Sequence, residues 1–219
     1  MKNYDIKKFL HKRHRVIWLG LAGITFAIGV YLLLLITAPL PYTPPSPAHI
    51  NWNKPVPRIE LHEQRVYIPR LELNLIYGSD ENSLLDGLWH RYPERGDPEK
   101  GGNFILAGHR FDIGFTPGAT KRQSPLYHID KVKFGDYIYV DFNGHRYQYE
   151  MTRDYTVQPS QVEIEAPSTI AKMTLYTCTL KGQADGREVL EATLIKKDVD
   201  PNAELAISSS TNVYDKARR

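Results

Sequence analysis

The chain has a single cysteine, Cys178, in Thr174-Leu175-Tyr176-Thr177-Cys178-Thr179-Leu180, at the end of an apolar, strand-like run. The thiolate is the reactive form of cysteine and the free side chain titrates at about 8.5, so a nucleophilic cysteine needs a histidine or another cation beside it. Gly101-Gly102-Asn103-Phe104-Ile105-Leu106-Ala107-Gly108-His109-Arg110 reads as a strand that ends on small residues and presents the His109 imidazole at its tip. After the cysteine comes the glycine-bearing stretch Lys181-Gly182-Gln183-Ala184-Asp185-Gly186, and Arg187 heads the next strand-like run. A thiol at a strand end beside such a loop is open to a ligand. A histidine can move protons for it, and an arginine offers planar, permanently charged donors to an oxyanion or a peptide backbone. The competing reading of Cys178 is a small hydrophobe packed in a core, and of His109 a surface or capping residue. His90, in an aromatic and proline-bounded segment, suits packing; His128, before Ile129-Asp130, suits an exposed short helix or loop. Asp112 is close enough after His109 to be a candidate for orienting it.

These side chains must be held by strands, because runs of period two recur from residue 64 onward. They are 65–68, 103–106, 137–142, 147–151, 172–176 and 189–195. Asn143-Gly144 separates two of the runs, and since a type I′ turn needs positive φ at both central residues, Tyr137 to Met151 is predicted to be a β-hairpin. Helical candidates are few: Asn82 to Trp89, with Ser83 as cap for Leu84, Leu85 and Leu88, and a turn after Ser160. Many strands and few helices predict an all-β domain, closed or sandwiched.

Ahead of that domain, Val16 to Ala38 is 23 residues without a charge, enough to span roughly 30 Å of hydrocarbon as a helix. A cleaved signal peptide is the alternative, but its apolar core is usually shorter and ends in small residues, whereas this run ends Ile36-Thr37-Ala38-Pro39. Six basic residues and only Asp5 precede residue 16, so the positive-inside rule places the N-terminus in the cytoplasm and the domain outside. The remaining 22 basic and 24 acidic residues leave no basic excess on the domain, which argues against nucleic acid as a partner. Seven prolines between Pro39 and Pro57 suggest an extended polyproline stalk. The expected organisation is a basic cytoplasmic tail over 1–15, a transmembrane helix over 16–38, a Pro-rich stalk over 39–57, a catalytic domain over 58–198 and a polar tail over 199–219. An exported chain with one cysteine cannot form an intramolecular disulfide, so the thiol calls for another explanation.

Taken together, Gly102-Asn103 leading to Gly108-His109, then Thr174-Leu175-Tyr176-Thr177-Cys178, then Arg187, resemble in kind and order the hallmarks of the sortase family. Val66-Tyr67-Ile68-Pro69-Arg70-Leu71 and Leu88-Trp89-His90-Arg91-Tyr92-Pro93 add to the resemblance, which covers residues 64 to 197. It implies a closed eight-stranded β-barrel with short helices, preceded here by the single transmembrane helix. It also implies a cysteine transpeptidase that attacks a Leu-Pro-x-Thr-Gly type sorting signal, forms a thioacyl intermediate and passes the acyl group to an amine. Cys178 is then the nucleophile, His109 the proton carrier and Arg187 the oxyanion or backbone donor, with Thr177 positioning the bound peptide or supporting the oxyanion site, a structural role being its alternative. The implied partners are secreted or surface proteins bearing a sorting signal and an amine acceptor, either a cell-wall precursor or a protein amine, at the cell membrane.

The resemblance implies no cofactor or metal. Asp80-Glu81 and Glu163 with Glu165 lack the spacing of a calcium loop. Asp97-Pro98-Glu99 comes nearest to the Asp-Pro-aromatic lid of some sortases but has no aromatic, which weighs against a pilin-polymerase role and leaves the subclass open. An L,D-transpeptidase would place its cysteine in a Ser-x-Gly-Cys context, which Leu175-Tyr176-Thr177-Cys178 does not supply. The alternative of another class is a membrane-tethered module that binds peptides without catalysis; Cys178, His109 and Arg187 together argue against it.

Overall fold

The structure, a computed structural model, describes residues 2–42, 63–85 and 87–198. Most of the expected stalk, residues 43–57, and all of the expected tail, residues 199–219, lie outside the described residues. Helix α1 runs Lys2–Thr37, and its Arg15–Thr37 portion, 23 residues with a mean hydropathy of 2.4, is long and apolar enough to cross a membrane.

The strands are β1 Arg65–Ile68, β2 Leu73–Gly78, β3 Leu88–Arg91, β4 Gly96–Asp97, β5 Gly101–Ala107, β6 Tyr137–Phe142, β7 His145–Val157, β8 Lys172–Thr179 and β9 Gly182–Lys196, with helix α2, Pro117–Gln123, between β5 and β6. They hydrogen-bond in the order β3-β2-β1-β6-β7-β9-β8-β5, and β5 pairs back onto β3, so eight strands close into a barrel. The two-residue β4 is an appendage on the start of β5. β2–β3 and β5–β8 are parallel, and all other neighbours are antiparallel.

Residues two apart along each strand point the same way, and these pairs fill the barrel: Val66 and Ile68, Phe104 and Leu106, Ile138 and Val140, Met173 and Leu175, Leu190 and Ala192. The intervening Ile105, Ala107, Tyr176 and Val189 face the other way and are covered by Ile164 from the short turn Val162–Glu165. At the turn between β6 and β7, Asn143 and Gly144 have φ of 49° and 78°, both positive, as the Asn-Gly signal requires.

The expected helix over Asn82 to Trp89 is not found. One short 3₁₀ turn covers Glu81–Leu85, and Leu88 and Trp89 belong to β3. Gly87 explains the difference: a Cβ there would sit 2.0 Å from the Ile76 carbonyl oxygen, so only glycine lets the chain turn in beside β2.

Candidate active site

β5 and β8 run parallel in the register Leu106↔Leu175 and Ala107↔Tyr176. Beyond the last paired residues the two chains stay latched. Gly108 N–H donates to the Tyr176 carbonyl at 3.1 Å, and Thr177 Oγ1 donates to the Gly108 carbonyl at 2.7 Å. A Cβ on Gly108 would lie 2.6 Å from Leu88 and 2.7 Å from Leu126, so the strand tip passes between them only as glycine. The His109 carbonyl then accepts from Leu126 N–H at 3.1 Å. The backbone that carries the imidazole is thus fixed on both sides, in step with the Thr177-Cys178 end of β8.

Cys178 and Arg187 are direct partners in the β8–β9 register, so their side chains share one face. A bulge follows between Cys178 and Thr179, where residues 183–186 of β9 loop out before Gly182 pairs with Thr179. Bulges bend a strand and re-aim its side chains, and here the irregularity lies beside the thiol. Arg187 therefore lies within β9 and not at its head, and the expected loop over 181–186 is partly drawn into the strand. Its guanidinium donates from Nη1 to the Gln183 carbonyl at 2.7 Å and to the Gly186 carbonyl at 3.1 Å. Cys178, His109 and Arg187 are all half-buried. Each is open to a ligand, and among the described residues no hydrogen bond joins the three to one another.

Thr177 is turned away from this face. It is 2% exposed, pairs across β9 with Glu188, and spends its hydroxyl proton on the Gly108 carbonyl. The other motif residues also bond to one another: Thr174 Oγ1 donates to Asn103 Oδ1 at 2.7 Å, and Asn103 Nδ2 donates to the carbonyls of Ile164 and Ala166. Asn103 and Thr174 thus tie β5 to β8 and both to the turn that roofs the outer cluster. Glu165 of that turn accepts from Tyr176 Oη and Arg91 Nη1, each at 2.5 Å.

Neither rival histidine is brought to the thiol by the contacts it makes. His90 is 4% exposed, its Nε2 is 3.1 Å from the Gly96 carbonyl, and its ring meets Phe104 edge-on at 4.7 Å. Burial lowers its pKa, outweighing the hydrogen bond to Gly96. His128 is half-buried and not exposed as expected: its Nε2 is 2.8 Å from the Pro39 carbonyl and its ring lies between Tyr42 and Tyr127. Asp112 engages Ser124 through its own backbone N–H and carbonyl, and makes no bond to His109 among the described residues.

Arg110 is the residue that sequence reasoning missed. It is 4% exposed and donates to Glu188 Oε2 at 2.6 Å and to Asp130 Oδ1 at 2.9 Å. Burial raises the Glu188 carboxyl pKa against the pull of Arg110. Burial also works to raise Asp130, but the Lys131 hydrogen bond and the charges of Arg110 and Lys131 outweigh it and hold that carboxyl below its ordinary range. The only sequence signal was a charged residue at a strand tip; its partners lie in two other segments.

The profile described as Sortase domain matches residues 66–195, more than half of the chain. Sortase A of Listeria monocytogenes serovar 1/2a is 29% identical over 137 residues, 61% of this chain and 56% of the relative, so the chain spans little more than half of that curated relative. The solved Listeria monocytogenes sortase A superposes with a TM-score of 0.52 at 25% identity, over 62% of this chain and 88% of that one. The Clostridium perfringens sortase D5, described as a transpeptidase, gives a TM-score of 0.50 at 25% identity, over 61% of this chain and 79% of that one. The closed barrel, the order of the motifs along it and the extent of the profile match all place this chain in the sortase family.

Proposed function

We propose that the chain is a membrane-anchored cysteine transpeptidase that cleaves a Leu-Pro-x-Thr-Gly-like sorting signal and transfers the acyl part to an amine at the cell surface. The observation that carries this reading is the pairing of Cys178 with Arg187 across β8 and β9 while the Gly108 latch keeps His109 in step with them. The Cys178 thiolate attacks the carbonyl carbon of the scissile peptide bond. The C–N bond breaks, imidazolium His109 gives its proton to the departing amine, and a thioester remains on the sulfur. An incoming amine attacks the thioester carbonyl and loses its proton to neutral His109, and the thiolate leaves. Arg187 stabilises the oxyanion of each tetrahedral intermediate or holds the substrate backbone. Thr177, proposed from sequence as a peptide-positioning residue, acts in this reading through the Gly108 latch. The apolar span of α1 supports anchoring, and the basic residues before it support a cytoplasmic N-terminus and an extracellular barrel.

The test incubates the full chain in detergent with a library of sorting-signal peptides, with and without small amines, followed by intact-mass spectrometry. Without amine, an adduct equal in mass to the enzyme plus the N-terminal peptide fragment is expected, and Cys178→Ala abolishes it. Undiminished transfer by Cys178→Ala would sink the assignment of the nucleophile.

A further inference from the structure

The segment between His109 and α2 carries three large apolar side chains outward: Phe111 is 36%, Ile113 56% and Phe115 95% exposed. A collapsed or loose loop does not account for this, because the backbone around them is stitched in place. Gly114 N–H donates to Thr120 Oγ1 at 3.1 Å, Ala119 N–H to Thr116 Oγ1 at 3.1 Å, and Asp112 N–H to Ser124 Oγ at 3.0 Å. The loop holds its apolar groups out against the hydrophobic effect, so a nonaqueous environment is what it fits.

That environment is identified by α1. The helix lies against α2, and Tyr31 Oη, inside the apolar span, donates to the Phe115 carbonyl. A phenol hydroxyl and a peptide carbonyl in hydrocarbon each need a partner, and here each satisfies the other. Tyr31 is six residues before Thr37, where α1 ends, so at 1.5 Å per residue its backbone is about 9 Å below that end, and the Phe115 carbonyl that it holds is brought to the apolar span and not to the helix exit. The exit of the helix is docked on the same side: Leu35 is buried, the Pro39 carbonyl accepts from His128 Nε2–H at 2.8 Å, and Tyr42 Oη donates to the Arg70 carbonyl at 3.1 Å. Lys121 and Arg122, both exposed on α2, add positive charge suited to anionic headgroups.

We propose that the 111–116 loop is a membrane-inserted wedge, with Phe115 and Ile113 entering the lipid leaflet beside α1, so that the His109 end of the barrel faces the bilayer. The inference rests on the anchoring part of the proposed function. The occupant of the apolar surface is lipid, and the barrel is held against the membrane by a second contact besides its helix.

The test uses the full chain in vesicles of phosphatidylcholine and phosphatidylglycerol. In a Cys178→Ala background, Phe115→Cys and, as control, Ile170→Cys carry an environment-sensitive fluorophore. Ile170 is 60% exposed and precedes β8, at the opposite end of the barrel from Cys178. The label at 115 is expected to shift to shorter wavelength and to be quenched severalfold more by lipid spin-labelled high on its acyl chain than the label at 170. Equal quenching at both positions, in a chain that resists carbonate extraction, overturns the wedge and leaves the anchor standing. A chain that carbonate strips from the vesicles overturns the anchor and the wedge together.

Discussion

Arg110 Nη1 donates to Glu188 Oε2 at 2.6 Å, so the residue after His109 is ion-paired to the residue after Arg187. This pair ties the tip of β5 to β9 from the side opposite the thiol, and Asp130 gives the guanidinium a second carboxylate. Arg110→Met is expected to cost about 2 kcal/mol in urea unfolding, less than a fully buried pair would, because Glu188 keeps partial access to water. Adding Glu188→Gln should cost less than the sum of the two single changes, with a coupling on the order of 1 kcal/mol. Additivity within error would show that the pair does not act as a unit.

Thr177→Val keeps shape and removes the donor to the Gly108 carbonyl. A stability loss of about 1 kcal/mol is expected, together with a fall in kcat that Thr177→Ser largely restores. If valine raises KM for the peptide and leaves kcat unchanged, the hydroxyl contacts substrate and the latch reading fails.

Arg187→Lys keeps the charge but loses the planar fork. A loss of about a hundredfold or more in kcat/KM is expected, the scale of removing one oxyanion donor, with little change in thermal midpoint because among the described residues Arg187 bonds within its own hairpin, to the Gln183 and Gly186 carbonyls. Retention of near wild-type turnover by lysine would restrict Arg187 to a simple charge.

His90 makes stability depend on pH. Its folded pKa is lowered, chiefly by burial, so between that value and the unfolded pKa of about 6.5 the unfolded chain binds the extra proton. Stability is therefore full above about 6.5 and declines as pH falls below it. Urea midpoints followed from neutral to mildly acidic pH should fall for the wild type and fall less for His90→Gln. Parallel curves would acquit His90.

What was legible in the sequence was local. Asn143-Gly144 announced its hairpin through the φ it demands, and the alternating runs of β1, β5, β6 and β8 announced their faces. The resemblance named Cys178, Arg187 and His109 together; the register pairs Cys178 with Arg187, and His109 follows the end of β5, the strand beside β8. Short β3 was hidden because Leu84, Leu85 and Leu88 recur at helical spacing, and only the backbone contact of Gly87 with Ile76 breaks the helix. β2, Leu73–Gly78, was not anticipated either; its side chains alternate between half-buried and exposed for most of its length and leave little apolar contrast. Arg110 was invisible for another reason: its partners, Asp130 and Glu188, lie far along the chain, and no periodicity encodes such a meeting.

The parallel pairing of β5 with β8 has a kinetic consequence. Cys178 and Arg187 meet within one hairpin, and the β6–β7 hairpin is equally local, so both can form on the timescale of about 1–10 μs typical of such elements. His109 reaches them only when residues 103–107 find 172–176 across the whole intervening sequence, a closure whose entropic cost makes it slow. A refolding chain is therefore expected to bring Cys178 and Arg187 together before His109 joins them. Activity regained after dilution from urea should lag the return of the β-sheet circular dichroism signal, and simultaneous recovery of the two would show that the barrel closes as early as its hairpins.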